Sequence, residues 1–265
     1  MVPQVSPMNK YGEKSALLPL AWILTGTVAF ALAWQLASRQ WGPLLVPSLA
    51  ETAESVLRLL RLPVGLDAFQ HTLGRVVVAL LLQAAIGIAL GMAAGFYPWL
   101  EELLSPAIGI LMSVPPVAVA LTVIFVFGAG ERQVVTTAVA LGLPLLYNGA
   151  VTAVRSLDRD LLEVLRVFRV SRRAQLWAMY VPATLFALLP SILLAAGLTV
   201  RLLVMAEVII GVEQGIGQSL SMARVHLATP EIFAWMLMMA ATMLLIEGVL
   251  RYLVKRHVLA WQARR

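Results

Sequence analysis

Long apolar runs alternate with short polar links along this chain. Six stretches, residues 17–37, 73–96, 103–127, 134–154, 185–211 and 232–250, are nearly free of charge. Each has about the 20 residues that a helix needs to cross a hydrocarbon core. None shows the strict two-residue alternation of a lipid-facing barrel strand, and all are longer than such strands. Pro106, Pro115, Pro116, Pro144 and Pro190 fall inside the runs. Spanning helices tolerate prolines when neighbouring helices take up the freed carbonyls. The pattern predicts an all-α, polytopic membrane protein with about six transmembrane helices and no internal repeat.

The links divide the rest. Residues 1–16 form a polar N-terminal tail and residues 17–37 the first transmembrane helix. That run contains a small-x-small sequence, Ala31-Leu32-Ala33. It exceeds the roughly 7–15 residues of a signal-peptide core, so it is read as retained. Residues 38–70 form a longer link carrying Pro43, Pro47 and Pro63. Within it Ser48 is placed to cap a short amphipathic helix ending at Arg61, with Leu49, Val56, Leu57 and Leu60 along one side. Residues 71–250 make up the core, with a polar loop at 155–183, and residues 251–265 form a basic tail.

Composition narrows the chemistry. Hydrophobic residues make up 60% and charged residues 13% of the 265 positions. A soluble domain has about 45–50% and 25%. Mean hydropathy is +0.87. The zero cysteine count excludes disulfides, Fe–S clusters and thiol chemistry. His71, His226 and His257 are too dispersed to form a metal-spaced pair. An enzyme acting on lipid needs acid–base or metal groups gathered at one depth, and the sparse histidines and carboxylates do not supply them. The pI near 10.2 reflects loop asymmetry rather than a nucleic-acid surface. With the N-terminus inside, Lys10, Lys14, Arg155, Arg159, Arg166, Arg169, Arg172, Arg173 and the basic tail fall on the inner side. The outer side holds fewer, including Arg39, Arg58, Arg61 and Arg75. The positive-inside rule then puts both termini in the cytoplasm.

The 155–183 loop reads RSLDRDLLEVLRVFRVSRRAQLWAMYVP from Arg155 to Pro182. Asp158 or Asp160 can cap a helix in which Leu161, Leu162, Leu165 and Phe168 recur at helical spacing. Ser171 can cap a second that runs through Gln175 to Tyr180, and Pro182 ends it. Two short amphipathic helices on the cytoplasmic side offer a docking surface to a soluble partner.

From about His71 to Leu250 the chain resembles the membrane subunit of a bacterial binding-protein-dependent ABC importer of the sulfonate, taurine and nitrate type. The family's loop signature is Glu-Ala-Ala, then Gly, then Leu-Pro. It corresponds here to Glu163-Val164-Leu165, Arg169 and Val181-Pro182. Further matches are His71-Thr72-Leu73-Gly74-Arg75, Ser113-Val114-Pro115-Pro116 and Phe127-Gly128-Ala129-Gly130-Glu131. Ala206-Glu207 followed by Gly211, and Gly215-Ile216-Gly217, complete the set.

The resemblance implies a type I ABC importer permease fold and a multi-pass protein of the bacterial cytoplasmic (inner) membrane. It implies a second permease subunit, identical or different, cytoplasmic ATPase subunits, and a periplasmic or lipid-anchored solute-binding protein. ATP and Mg would be bound by the partner ATPase. This chain has no G-x-x-x-x-G-K-[ST] stretch, no cofactor site and no catalytic residue of its own. The coupling loop would act through Asp160, Glu163, Arg166, Arg169, Ser171, Arg172 and Pro182. Val164, Leu165 and Arg169 replace small residues there, which points to pairing with a second, more regular permease. A non-transporting scaffold or regulatory subunit is the alternative reading.

Arg201 and Glu207 stand inside the fifth run. A charge near mid-membrane costs about 2.5–3.5 kcal/mol on the insertion scale, and such groups face a bundle interior or a watery path. Both are therefore candidates for the translocation pathway of a small organic or inorganic anion. Their separation of six residues puts them about 240° apart on a helix, which does not favour pairing with each other. A polar group such as Gln83 or Asn148 on another helix is a competing partner for Arg201.

Glu163→Lys reverses the charge at the loop's motif position. Solute-stimulated ATP hydrolysis by the assembled transporter is expected to fall several-fold with membrane insertion unchanged, as measured by ATPase assay and membrane fractionation.

Overall fold

In a computed structural model the chain is described over residues 17–157, 171–175 and 180–262. Among these residues all regular structure is helical. Helix α1 is Leu17–Trp41, α2 Leu49–Arg61 and α3 Pro63–Gln83, which passes through a π turn at Ala84–Ile88 into α4, Ala89–Phe96. Then come α5 Pro98–Ser113, α6 Pro116–Phe127, α7 Glu131–Arg155, α8 Arg172–Gln175, α9 Val181–Ile210, α10 Ile216–Val225 and α11 Thr229–Gln262.

Local chemistry sets the ends. Ser48 opens α2 through a capping box: its Oγ accepts the Glu51 N–H at 3.2 Å, and the Glu51 carboxylate accepts the Ser48 N–H at 2.8 Å. Those bonds from Ser48 hold the Glu51 carboxyl below its ordinary range. Proline occupies the first position of α3, α5 and α6, where its missing N–H costs nothing. Gly211, with φ +70°, closes α9 in the left-handed conformation.

Five segments are each long and apolar enough to cross a membrane: Ala21–Trp41, Pro63–Phe96, Glu131–Arg155, Ala187–Ile210 and Thr229–Val249. The third expected span is different. Instead of one proline-interrupted helix over 103–127, it is α5 and α6, bent by 109°. Pro115 and Pro116 remove two successive N–H donors, and a residue before proline is driven out of the helical region. Val114 accordingly sits at φ −74°, ψ 134°.

Helix register shows that this bent pair still traverses the bundle. Segment α3–α4 runs parallel to α7: Arg75 meets Glu131, Gln83 Nε2 donates to the Ala138 carbonyl, Gly91 lies against Tyr147 and Ala150, and Gly95 against Val154. Two parallel neighbours require the intervening chain to return from one end to the other. The start of α5 shares an end with the finish of α7, where Arg155 pairs with Glu101. The twenty residues from Arg75 to Gly95 rise about 30 Å, the thickness of a hydrocarbon core.

Helix α9 runs antiparallel to both, with Thr199 on Gln83 and Glu207 on Arg75. Helix α11 packs antiparallel to α9, with Met243 beside Gly197 and Trp235 in one cluster with Val204 and Ile216. The central core joins Val76, Ala79, Val134, Ala138, Val200, Leu203 and Ala206 from α3, α7 and α9. Helix α1 touches the rest mainly near its end, where Trp34 Nε1 donates to the Pro47 carbonyl at 2.8 Å. The side of α2 that buries is Thr52, Ser55 and Leu59, while Leu57 and Leu60 stay exposed. The expected apolar face is thus only half packed: Leu49 and Val56 are partly buried, Val56 against the cluster of Leu59 with Ala234 and Trp235 of α11.

Gly87 of the π turn and Gly91 and Gly95 of α4 recur every fourth residue and bring this backbone onto α7, as small residues do between membrane helices. A Cβ on Gly91 would lie 2.4 Å from the Tyr147 carbonyl oxygen and 2.7 Å from the Ala150 Cβ. A Cβ on Gly74 would meet nothing within 4 Å. Gly91→Ala is expected to destabilise by about 1–3 kcal/mol, and Gly74→Ala to stabilise by up to about 1 kcal/mol. Thermal unfolding of the two variants in one detergent checks the contrast.

Candidate functional site

Four of the segments quoted from the sequence meet at one place. Arg75 of α3, with only 7% of its side chain exposed, is the centre. Its Nη1 donates to Glu207 Oε1 at 2.6 Å and to the Gln214 carbonyl at 2.7 Å, and its Nη2 donates to Glu131 Oε1 at 2.9 Å. Glu207 is fully buried. Besides Arg75, its carboxylate accepts the Thr72 hydroxyl at 2.9 Å and the Gly217 N–H at 2.9 Å. Thr72 Oγ1 in turn accepts the Ile216 N–H at 2.8 Å. The close approach needs Gly215, with φ +135°, where a Cβ would lie 2.8 Å from Arg75 Nη1. Residues from α3, α7, α9 and the 211–217 turn are tied into one knot at the Arg75 end of the bundle.

Glu207, a candidate for the translocation pathway, lies inside the subunit with its carboxylate already bonded. Thr72, Arg75 and Glu131 were not marked as functional. Their signal was present, since each belongs to a short polar or glycine-bearing motif at the edge of an apolar run.

About 9 Å further down α9, at 1.5 Å per residue, Arg201 is different. It is exposed. Among the described residues it makes no hydrogen bond or ion pair. Gln83 is engaged with Ala138 and Thr199, and the Asn148 amide rests on Met112 Sδ at 3.4 Å, so neither is its partner. Arg201 lines a cavity of about 420 Å³ with Leu145, Leu194, Leu198, Met243 and Glu247. Leu145 and Leu198 are shared with a second cavity of about 290 Å³ under the α5–α6 bend, which Asn148 also lines. The polar mid-bundle groups that stay open therefore share one face, formed by α7, α9 and the bend.

Of the coupling-loop residues, Asp160, Glu163, Arg166 and Arg169 lie outside the described residues. Ser171 Oγ accepts the Ala174 N–H at 3.3 Å at the start of α8. Arg172 is the first residue of α8, and Pro182 sits in the first turn of α9. Among the described residues no group of three metal-ligating side chains is found.

The model of the binding-protein-dependent transport system inner membrane component family matches residues 85–258, and the chain belongs to that family. It is 29% identical over 240 residues to the taurine transport system permease protein TauC of Escherichia coli K12, covering 87% of this chain and 86% of that one. It is 30% identical over 194 residues to the putative aliphatic sulfonates transport permease protein SsuC of Bacillus subtilis 168, covering 73% and 69%. A solved structure of the MetNI methionine ABC transporter in inward-facing conformations superimposes with a TM-score of 0.56 at 14% identity, over 71% of this chain and 92% of that one. The fold is that of a type I importer permease, and the chain is a multi-pass membrane protein whose relatives are transport permeases.

Removing one partner of a buried ion pair leaves the other charge uncompensated, at about 3–5 kcal/mol. Glu207→Ala is expected to lose stability on that scale. Arg75→Met with Glu207→Leu, which removes both charges, is expected to recover at least half of it. Denaturation of the two variants and the native protein under one condition decides the point.

Proposed function

We propose that this chain is the solute-conducting permease of an ATP-driven importer for a small anion of the sulfonate class, in the bacterial inner membrane. The observation that carries the reading is Arg201. A guanidinium in the middle of an apolar bundle, exposed and without a partner among the described residues, needs either water or an anion beside it. The other charged side chain of α9, Glu207, is bonded, and the contrast supports a functional face at Arg201.

In this reading two permease subunits set their α7, α9 and bend faces around a common path. Arg201 presents a planar fork of donors that suits a sulfonate or carboxylate. The contact is loose, because a site that binds too tightly holds its solute in mid-passage. The Arg75 end faces outside, where a solute-binding protein delivers its cargo. Both termini and the 155–183 loop face the cytoplasm. The loop rests on an ATPase subunit, which binds ATP and Mg and drives the switch between the two access states. The permease makes no covalent change to the solute. The names of TauC and SsuC, which refer to taurine and aliphatic sulfonates, support the solute class.

Uptake of a radiolabelled alkanesulfonate into proteoliposomes tests the reading. Arg201→Gln is expected to reduce uptake by about tenfold, the equivalent of one lost charge-assisted contact, with complex assembly unchanged. Arg201→Lys is expected to restore part of it. Normal transport by Arg201→Gln overturns the assignment, and an intact complex that moves no solute favours a scaffold.

A further inference from the structure

The arginine at the centre of the knot is only partly used. Arg75 spends Nη1 on Glu207 and the Gln214 carbonyl. On its other edge Glu131 takes Nη2 through a single oxygen, and Nε, although buried, has no acceptor among the described residues. Nε–H and Nη2–H are the two parallel donors with which a guanidinium binds both oxygens of one oxyanion side-on. That fork is half filled. A buried donor without an acceptor costs about 1–3 kcal/mol, so the edge favours a ligand that fills both prongs.

The surroundings leave room for one. Two cavities, of about 680 and 370 Å³, flank the Arg75–Glu131 contact, and both residues line each. The larger also carries His71 and Arg132. Glu131 is open to the solvent side: its side chain is 67% exposed and it bonds one Arg75 nitrogen, at 2.9 Å. It follows Gly128 and Gly130, with φ of +73° and +139°, and begins α7, whose N-terminus favours an anion in any case.

We propose that the Nε–Nη2 edge of Arg75 is a binding site for a small oxyanion, a sulfonate or carboxylate, and that Glu131 is its built-in occupant. An arriving anion displaces the Glu131 carboxylate and takes both prongs. The identity of the ligand rests on the reading of this chain as an anion permease; the half-filled fork does not. Arg75 then serves as an entry station about six residues of helix above Arg201, while its Nη1 goes on holding Glu207 and the knot together.

The test uses trifluoromethanesulfonate as the probe, observed by fluorine NMR line broadening on the full-length chain, with its copurifying subunits, in lipid nanodiscs. Glu131→Gln keeps the side chain's size and removes the competing charge. It is expected to tighten probe binding by about tenfold, and to do so equally in an Arg201→Gln background. Arg75→Lys, which keeps the charge and loses the fork, is expected to abolish the gain. Binding that is unchanged or weaker in Glu131→Gln overturns the proposal, as does a gain that vanishes with Arg201→Gln. A mere structural pair predicts no gain at all. The two readings fail separately: a gain in Glu131→Gln alongside normal transport by Arg201→Gln leaves the entry station standing and removes the pathway assignment.

Discussion

In the hydrocarbon of a bilayer a polar group has no water to fall back on, so each must find its partner within the protein. That constraint organises this bundle. Gln83, fully buried, donates to the Ala138 carbonyl and accepts the Thr199 hydroxyl, tying α3, α7 and α9 at mid-height. Gln133 donates to the Ala120 carbonyl and ties α6 to α7. At the Arg75 end the same three helices close on a buried ion pair that also gathers backbone N–H groups from the 215–217 turn. Hydrophobic burial gives little drive between helices in lipid, so these ties and close glycine contacts carry much of the specificity.

The result is a trio, α3–α4, α7 and α9, joined by these bonds, with a bent arm laid against it. The glycine series on α4 fixes the depth at which it meets α7, and the knot fixes the register. The arm is bound less tightly: α5 and α6 present many exposed apolar side chains, including Leu103, Ile110, Met112, Phe125 and Val126. The break at Val114–Pro115 lets a single crossing run around the face that holds Asn148 and Arg201 instead of sealing it. The architecture thus separates an interior whose polar side chains are mostly paired from one face where Asn148 and Arg201 are exposed.

Much of this was legible in the sequence. Apolar runs and prolines gave the six crossings and marked the weak point in the third, and Ser48 and Glu51 announced the start of α2. What could not be read was pairing across helices. The 240° offset between Arg201 and Glu207 said that they face apart. Nothing in a one-dimensional pattern said that Glu207 would turn inward to Arg75, 132 positions away, and Arg75 looked like a charge at the edge of a run. Its place became visible only when four short motifs, unremarkable apart, met in space. On α2 periodicity placed Val56 correctly against the core but could not tell that Leu57 and Leu60 would stay exposed, because packing chooses which part of an apolar face fits.

The central claim is that the face of α9 carrying Arg201 meets water, while equally exposed apolar surface elsewhere meets lipid. The chain contains no cysteine, so single cysteines report without interference. Leu194 shares the Arg201 cavity and Leu81 lies on the outer side of α3, and both are 65% exposed. In membranes treated with a charged, water-soluble methanethiosulfonate, Leu194→Cys is expected to react and Leu81→Cys to remain unlabelled. Equal inertness of the two would contradict the account and place Arg201 on a face without water.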